Sequence, residues 1–229
     1  MGLFRFKHFA LTDNNCQLKI GTDGVLLAAW ASCKSLLVLD VGCSSGLIST
    51  IYAHRNPNAK IWGIDINAPA IAEAKENAMR LGLQNHLHYS ACAFQDFRAG
   101  FKFQQIITNP PFFELPNKNI KSAKHEKQFS LQEFFLYCKK SLSDNGIVSL
   151  IYPFNRRHEV ITYALKHDLY VMRETQVLPK DGKNANRVLI EFSNQKEEVP
   201  EIEVLALRNS NNEFTHQYKR LTHYLYLKF

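Results

Sequence analysis

At 229 residues, with 45% apolar and 21% charged residues, the chain carries enough apolar material for one sizeable core, which excludes a wholly disordered protein. Its longest strongly apolar stretch, residues 25–31, falls far short of the roughly 18 to 20 residues that cross a bilayer, which excludes a transmembrane helix. Twenty-eight basic against 21 acidic residues leave a net charge of +7, a balance that suits a polyanionic partner such as nucleic acid.

Phe4-Arg5-Phe6-Lys7 alternates apolar and basic as an edge strand does, and Leu18-Lys19-Ile20 alternates again before Gly21. Thr22 or Asp23 then caps a short helix over Val25, Leu26, Ala29 and Trp30. From residue 36 the pattern changes. Residues 36–41, Leu-Leu-Val-Leu-Asp-Val, form the continuous apolar run of a strand buried on both faces of a parallel sheet, and a Gly- and Ser-containing turn leads to a helix over 47–53. A strand over 60–66 follows, then a helix capped by Asn67 with Pro69 in its first turn, ending about residue 82. Short strands are predicted at 87–90 and 105–108. Ser130-Leu131-Gln132-Glu133 is a capping box opening a helix to about residue 142, followed by a strand over 146–152 and a helix over 155–166. Residues 169–177 and 187–193 read as an antiparallel pair around Lys180-Asp181-Gly182-Lys183. Phe214, Tyr218, Leu221 and Leu225 recur at the spacing of a docked terminal helix. Right-handed βαβ crossovers make this alternation a doubly wound α/β sheet.

Five cysteines, at 16, 33, 43, 92 and 138, offer no CxxC pair, no even disulfide framework and no zinc spacing, so reduced thiols in a cytoplasm and no metal are expected. The amino end has no h-region, and Phe6 stands where a myristoylation signal needs Ser or Thr, so neither export nor a lipid anchor is expected.

The first chemically informative segment is Asp40-Val41-Gly42-Cys43-Ser44-Ser45-Gly46, between the first buried strand and its helix, where a doubly wound sheet binds ligands. With glycines only at 42 and 46, behind a carboxylate that repels a pyrophosphate, it disfavours a dinucleotide site. An acidic residue suits a cationic ammonium instead. The turn resembles motif I, D-x-G-x-G-x-G, of the class I S-adenosylmethionine-dependent methyltransferases, with Ser44 where the middle glycine would stand, so the backbone there must accommodate a Cβ. The resemblance implies S-adenosylmethionine as cofactor, at Asp40, Gly42 and Gly46. Asp65, at the end of the second strand and 19 residues after Gly46, would accept bonds from both ribose hydroxyls, with Ile66 next to it. Where such enzymes often place a carboxylate near the adenine amino group stands Ala93, with Asp96 three residues later, so that contact falls to the backbone of Ala93 and Phe94 or is absent.

The second segment is Ile106-Ile107-Thr108-Asn109-Pro110-Pro111-Phe112. Its prolines carry no N–H and have fixed φ, so the loop presents acceptors and hardly any donors. The Asn109 side-chain oxygen and the Pro110 carbonyl can each accept one hydrogen of a planar exocyclic amine, and Phe112 can stack on the ring that carries it. Both acceptors strengthen as positive charge develops on the nitrogen, and no general base is required before attack. The turn resembles that of amino-group methyltransferases acting on adenine N6, guanine N2 or a glutamine amide.

Phe6-Lys7-His8-Phe9, the run Lys19-Ile20-Gly21-Thr22-Asp23-Gly24-Val25-Leu26-Leu27, and Tyr224-Leu225-Tyr226-Leu227 in the final segment look like the bacterial valine-tRNA adenine-N6 methyltransferase family, which modifies position 37 beside the anticodon. That resemblance spans essentially the whole chain. It implies a mostly parallel, seven-stranded Rossmann-like sheet in 36–229, with an extension over 1–35 packed on the cofactor site. Thr22 and Asp23 would lie at the cofactor's methionine end. The implied partner is tRNA, met by a monomer with no membrane or metal requirement. Lys118, Lys121, Lys124 and Lys127, and Arg156 with Arg157, are the candidate phosphate contacts.

Competing readings are a release-factor-type glutamine methyltransferase and an rRNA guanine-N2 methyltransferase. The former normally carries a helical substrate domain ahead of the first strand, for which 35 residues are too few. A DNA adenine methyltransferase needs a target-recognition domain that no segment after Tyr152 is long enough to form. A non-catalytic nucleotide-binding module or a dehydrogenase would account for the sheet but not for residues 109–112.

Overall fold

A computed structural model describes residues 2–16, 19–111, 129–196 and 199–228. Strands β1 (Leu3–Arg5) and β2 (Ala10–Thr12) form an antiparallel hairpin of their own, followed by α1 (Thr22–Trp30). The alternating body runs β3 (Leu37–Val41), α2 (Leu47–Arg55), β4 (Lys60–Asp65), α3 (Ala68–Arg80), β5 (Leu87–Ala91), β6 (Phe103–Thr108), α4 (Leu131–Ser141), β7 (Leu142–Pro153) and α5 (Arg157–Leu165). Strands β8 (Tyr170–Leu178), β9 (Arg187–Ser193) and β10 (Glu201–Ala206), then a short α6 (His216–Thr222), complete it.

The main sheet has the order β10-β8-β9-β7-β6-β3-β4-β5. Only β9 runs antiparallel, between β7 and β8; the other pairings are parallel. From β3 the chain winds outward through β4 and β5, then returns to β6 on the other side. The topological switch point therefore lies between β3 and β6. This is the expected doubly wound fold with eight strands among the described residues rather than seven. The additional strand, β10, lies parallel to β8 at the sheet edge, and its first four residues are exposed, so it has no apolar run to announce it.

Both sheet faces are covered. On one, α1, α2 and α3 pack with the hairpin and the terminal segment, bringing Leu26, Ile51, Ile71, Phe6, Tyr218 and Leu225 into one core. On the other, α4 presents Leu131, Phe134, Phe135 and Cys138, the i, i+3, i+4, i+7 stripe of an amphipathic helix, against β6, β7 and β9. Helix α1 is buried at every residue from 24 to 30, as a helix apolar all round must be. Among the described residues no helix is long and apolar enough to cross a membrane.

Local signals fared unevenly. Asn67 caps α3 by accepting from Ala70 N, and Ser130 caps α4 by accepting from Glu133 N, whereas the Glu133 carboxylate accepts from Gln95 instead of closing the capping box. Neither Thr22 nor Asp23 caps α1: Gly21 is the N-cap and both lie inside the helix. Lys19 and Ile20 are not in a strand; the hairpin partner of β1 is β2.

Candidate active site

Register places the site. Val41 of β3 pairs with Ile64 of β4 on one side and Thr108 of β6 on the other, so the next residues of the three strands, Gly42, Asp65 and Asn109, stand in a row at the carboxyl edge across the switch point. The Thr108 hydroxyl donates to the Val41 carbonyl at 2.8 Å, fastening the Asn109 strand to the turn.

The turn between β3 and α2 is held open and rigid. Gly42 (φ +74°) and Gly46 (φ +82°) take left-handed conformations that a glycine adopts without cost. Nothing lies within 4 Å of where a Gly42 Cβ would stand, which leaves room above the turn. At Gly46 a Cβ would meet the Tyr89 hydroxyl at 2.4 Å. Ser44 is left-handed as well (φ +49°), at a cost of about 1 to 2 kcal/mol. Its N–H donates to Asp65 Oδ2 at 3.0 Å, so the serine in place of the middle glycine is accommodated and tied to the ribose-binding candidate.

Asp65 suits that assignment. Each of its oxygens accepts one backbone N–H, from Ser44 and from Asn67 at 2.9 Å, and a carboxylate keeps lone pairs beyond those two. Ile66, beside it, is 57% exposed, an apolar surface at the mouth of the site.

Asp40, expected at the cofactor's ammonium, is fully buried beneath the turn, and its Oδ1 has no hydrogen-bond partner among the described residues. Oδ2 accepts from Ser49 N at 3.1 Å and Ser49 Oγ at 2.6 Å, replacing the side-chain cap that Gly46 cannot give α2. Burial, with the charge of Asp65 adding to it, pushes the Asp40 carboxyl up to about 7, against the opposing pull of the Ser49 hydrogen bonds. Asp40 thus ties β3 to the first turn of α2.

Asn109 carries the sharpest feature of the site. Its Oδ1 is buried and, among the described residues, has no hydrogen-bond partner, as is true of Asp40 Oδ1 on the neighbouring strand; a buried acceptor left unpaired calls for a ligand or water. Pro110, next to it, is buried too. On the other side stands α1: a Cβ on Gly24 would lie 3.8 Å from Asn109 Nδ2 and 3.0 Å from Leu47 at the start of α2. This contact brings the Gly-Thr-Asp segment to the site, with Thr22 exposed and Asp23 paired to Arg187 of β9 at 2.8 Å. An open Gly42, a half-satisfied Asp65 and an orphaned Asn109 fit S-adenosylmethionine with an amine substrate beside it.

The remaining candidates divide. Ala93 is half-buried at the turn after β5, whereas the Phe94 side chain belongs to the core, packed on Phe129, Phe134 and Tyr137, so only its backbone can serve a ligand. The Arg157 guanidinium, a candidate phosphate contact, holds the fully buried Glu174 at 2.6 to 2.8 Å. Arg156 pairs with Glu159 at the surface and lies over the Tyr152 ring. Phe112, Lys118, Lys121, Lys124 and Lys127 fall outside the described residues.

Two residues that sequence reasoning passed over complete the arrangement. Glu73 and Asn77, one turn apart on α3, are both buried. Glu73 accepts the N–H groups of Asn14 and Asn15, and Asn77 bonds Thr12 and the Ser45 carbonyl, so the segment after β2 is latched to the cofactor turn. The signal lay in the pattern: two polar residues at i and i+4 interrupt a face otherwise made of Ala70, Ile71, Ala74 and Ala78.

Comparison with known proteins gives the family. Residues 16–177 match the family described as Methyltransferase small domain. A tRNA1(Val) (adenine(37)-N6)-methyltransferase of Bacteroides thetaiotaomicron is 31% identical over 98% of both chains, and one of Haemophilus influenzae is 31% identical over the full length of both. Among solved structures, a predicted O-methyltransferase from Agrobacterium tumefaciens superposes with a TM-score of 0.69 over 88% of this chain and 96% of its own, at 17% identity, which supports the fold. The chain belongs to the methyltransferase small domain family and, within it, to the tRNA1(Val) (adenine(37)-N6)-methyltransferases.

Proposed function

We propose that the protein transfers a methyl group from S-adenosylmethionine to the exocyclic N6 amine of adenine 37, beside the anticodon of valine tRNA. The observation that carries this reading is Asn109 Oδ1, a buried acceptor without a partner among the described residues, in a row with Gly42 and Asp65. The full-length similarity to relatives bearing that name supports the substrate.

Bound S-adenosylmethionine supplies an electrophilic methyl group. Asp65 holds the ribose hydroxyls, Ile66 and the backbone of Ala93 and Phe94 border the adenine, and the turn through Gly42 to Gly46 and the Thr22–Asp23 segment hold the methionine end. Asn109 Oδ1 and the Pro110 carbonyl accept the two hydrogens of the target amine. Both fix the nitrogen and stabilise the positive charge that grows on it as the new bond forms, so they bind the transition state better than the substrate. Phe112 stacks on the flipped adenine, and the lysines at 118, 121, 124 and 127 hold phosphates at the mouth. An anticodon-loop base is already unpaired, so its extrusion costs only stacking, a few kcal/mol at most. The enzyme acts in the cytoplasm as a monomer and needs no metal.

The test is radiolabelled methyl transfer to tRNA from cells lacking the enzyme, with release factor offered in parallel, followed by nucleoside analysis. N6-methyladenosine at position 37 is expected. Label in the protein alone, or in another nucleoside, would overturn the reading.

A further inference from the structure

Strands β7, β8 and β9 do not stop where the site does. Thr108, the last residue of β6, pairs with Leu150, yet β7 continues three residues to Pro153, which pairs with Arg187 at the start of β9. At about 3.3 Å per residue this raises the β8–β9 hairpin roughly 7 Å above the level of Asn109, two strand spacings (about 10 Å) to its side. The connecting turn, residues 179–186, stands above that level as a wall flanking the site.

The wall is fixed in place. Asp181 N donates to the Arg208 carbonyl at 2.7 Å, Asn186 N to the Val177 carbonyl at 3.0 Å, and Phe154 N to the Asn186 carbonyl at 3.1 Å. The Arg187–Asp23 ion pair ties its base to α1, whose Gly24 lies against Asn109. On this frame Lys183, Asn184 and Asn186 are exposed and Lys180 is half-exposed. Among the described residues neither lysine has an acidic partner within ion-pair distance. The contrast with Arg157 and Arg173, which are spent on buried Glu174 and Glu191, is direct.

We infer that the turn over residues 179–186 is an RNA-backbone contact, in which Lys180 and Lys183 take phosphates flanking the target nucleotide and the Asn184 and Asn186 side chains offer further hydrogen-bond donors. The inference rests on the RNA-methylation reading and adds to it a contact surface away from residues 112–128. Unspent cations on a preorganised loop beside the acceptor site suit a polyanion, because neutralising each phosphate releases condensed counterions. The contact is sequence-independent: it sets register on the RNA, and Asn109 and its neighbours select the base.

The experiment compares Lys180→Gln/Lys183→Gln with a control, Lys34→Gln/Lys60→Gln, two exposed lysines at the opposite, amino-terminal edge of the sheet. Retention of unmodified tRNA on filters is measured against salt, alongside methylation kinetics and calorimetry with S-adenosylmethionine. The turn variant should lose about one unit of salt slope per lysine and raise the KM for tRNA about tenfold, with kcat and cofactor affinity unchanged. The control should behave as wild type. An unaltered slope in the turn variant, or an equal loss in the control, overturns the inference while methylation at adenine 37 still stands. Conversely, a flattened slope with no label in tRNA supports the turn and refutes the methylation reading.

Discussion

Asn77 joins α3 to the cofactor turn: its Nδ2 donates to the Ser45 carbonyl and to the Thr12 carbonyl, each at 3.0 Å, while its Oδ1 accepts from Thr12 N at 3.1 Å. One buried carboxamide thus fixes both the end of β2 and the turn that carries Ser44 in its left-handed conformation. Asn77→Ala strands these backbone groups and should cost about 2 to 4 kcal/mol of stability. It should also weaken S-adenosylmethionine binding about tenfold, or about 1.4 kcal/mol, with kcat at saturating substrates retained. Denaturant unfolding and calorimetry read the two effects separately. Cofactor affinity equal to wild type would detach Asn77 from the turn.

Asn109 and Asp65 stand in one row yet should fail differently. Asn109→Ala removes an acceptor whose value grows in the transition state, so kcat should fall by about 10²-fold or more while cofactor binding persists. Asp65→Ala removes bonds made equally before and during reaction, each worth about 1.5 to 3 kcal/mol, so cofactor affinity should drop tenfold or more. Single-turnover rates at saturating cofactor, set beside calorimetric affinities, separate them. A normal rate in Asn109→Ala would refute the mechanism.

How much of this was readable beforehand follows the range of each interaction. Gly42, Asp65 and Asn109 were legible because each ends a strand run, and equal register of parallel strands puts strand ends side by side. The Ser49 partner of Asp40 was not legible, because a carboxylate before a glycine turn has the same sequence signature whatever it bonds. The pairing of Arg157 with buried Glu174 was not legible, because the two lie 17 residues apart, on α5 and β8. Asn77 bonds Thr12 across 65 residues, a separation at which neither periodicity nor capping rules carry information. What local rules left out were the side chains whose partners are chosen by packing.

Asp40 should give stability a pH dependence of unusual sign. Burial raises its carboxyl from the ordinary 3.8 to about 7, so between these values the folded protein keeps a proton that the unfolded chain has lost. Stability from this group therefore falls as pH rises through the window, by up to about 1.4 kcal/mol per pH unit, and changes little below pH 4 or above 7. Asp40→Asn keeps an acceptor for Ser49 and does not titrate. Its stability relative to wild type should climb between pH 4 and 7 and then level off, as read by denaturant unfolding at several pH values. A difference independent of pH would contradict the burial argument.

Arg157 tests whether a cation on the rim of the sheet serves the fold or the RNA. Its Nε lies 2.7 and 2.8 Å from the two Glu174 oxygens and its Nη2 is 2.6 Å from one of them, with Glu174 fully buried and Arg157 one-third exposed. Removing one member of such a pair leaves a buried charge without compensation, so Arg157→Gln should cost about 3 to 5 kcal/mol of stability. The salt slope of tRNA binding should not change, because this guanidinium releases no phosphate counterion. Arg156→Gln breaks a surface pair with Glu159 and should cost about 1 kcal/mol, less than Arg157→Gln. Glu174→Gln combined with Arg157→Gln removes both charges together, so the double variant should recover much of the stability lost by Arg157→Gln alone. If Arg157→Gln is as stable as wild type and instead flattens the salt slope by about one unit, its guanidinium belongs to the RNA contact and the Glu174 pair is incidental.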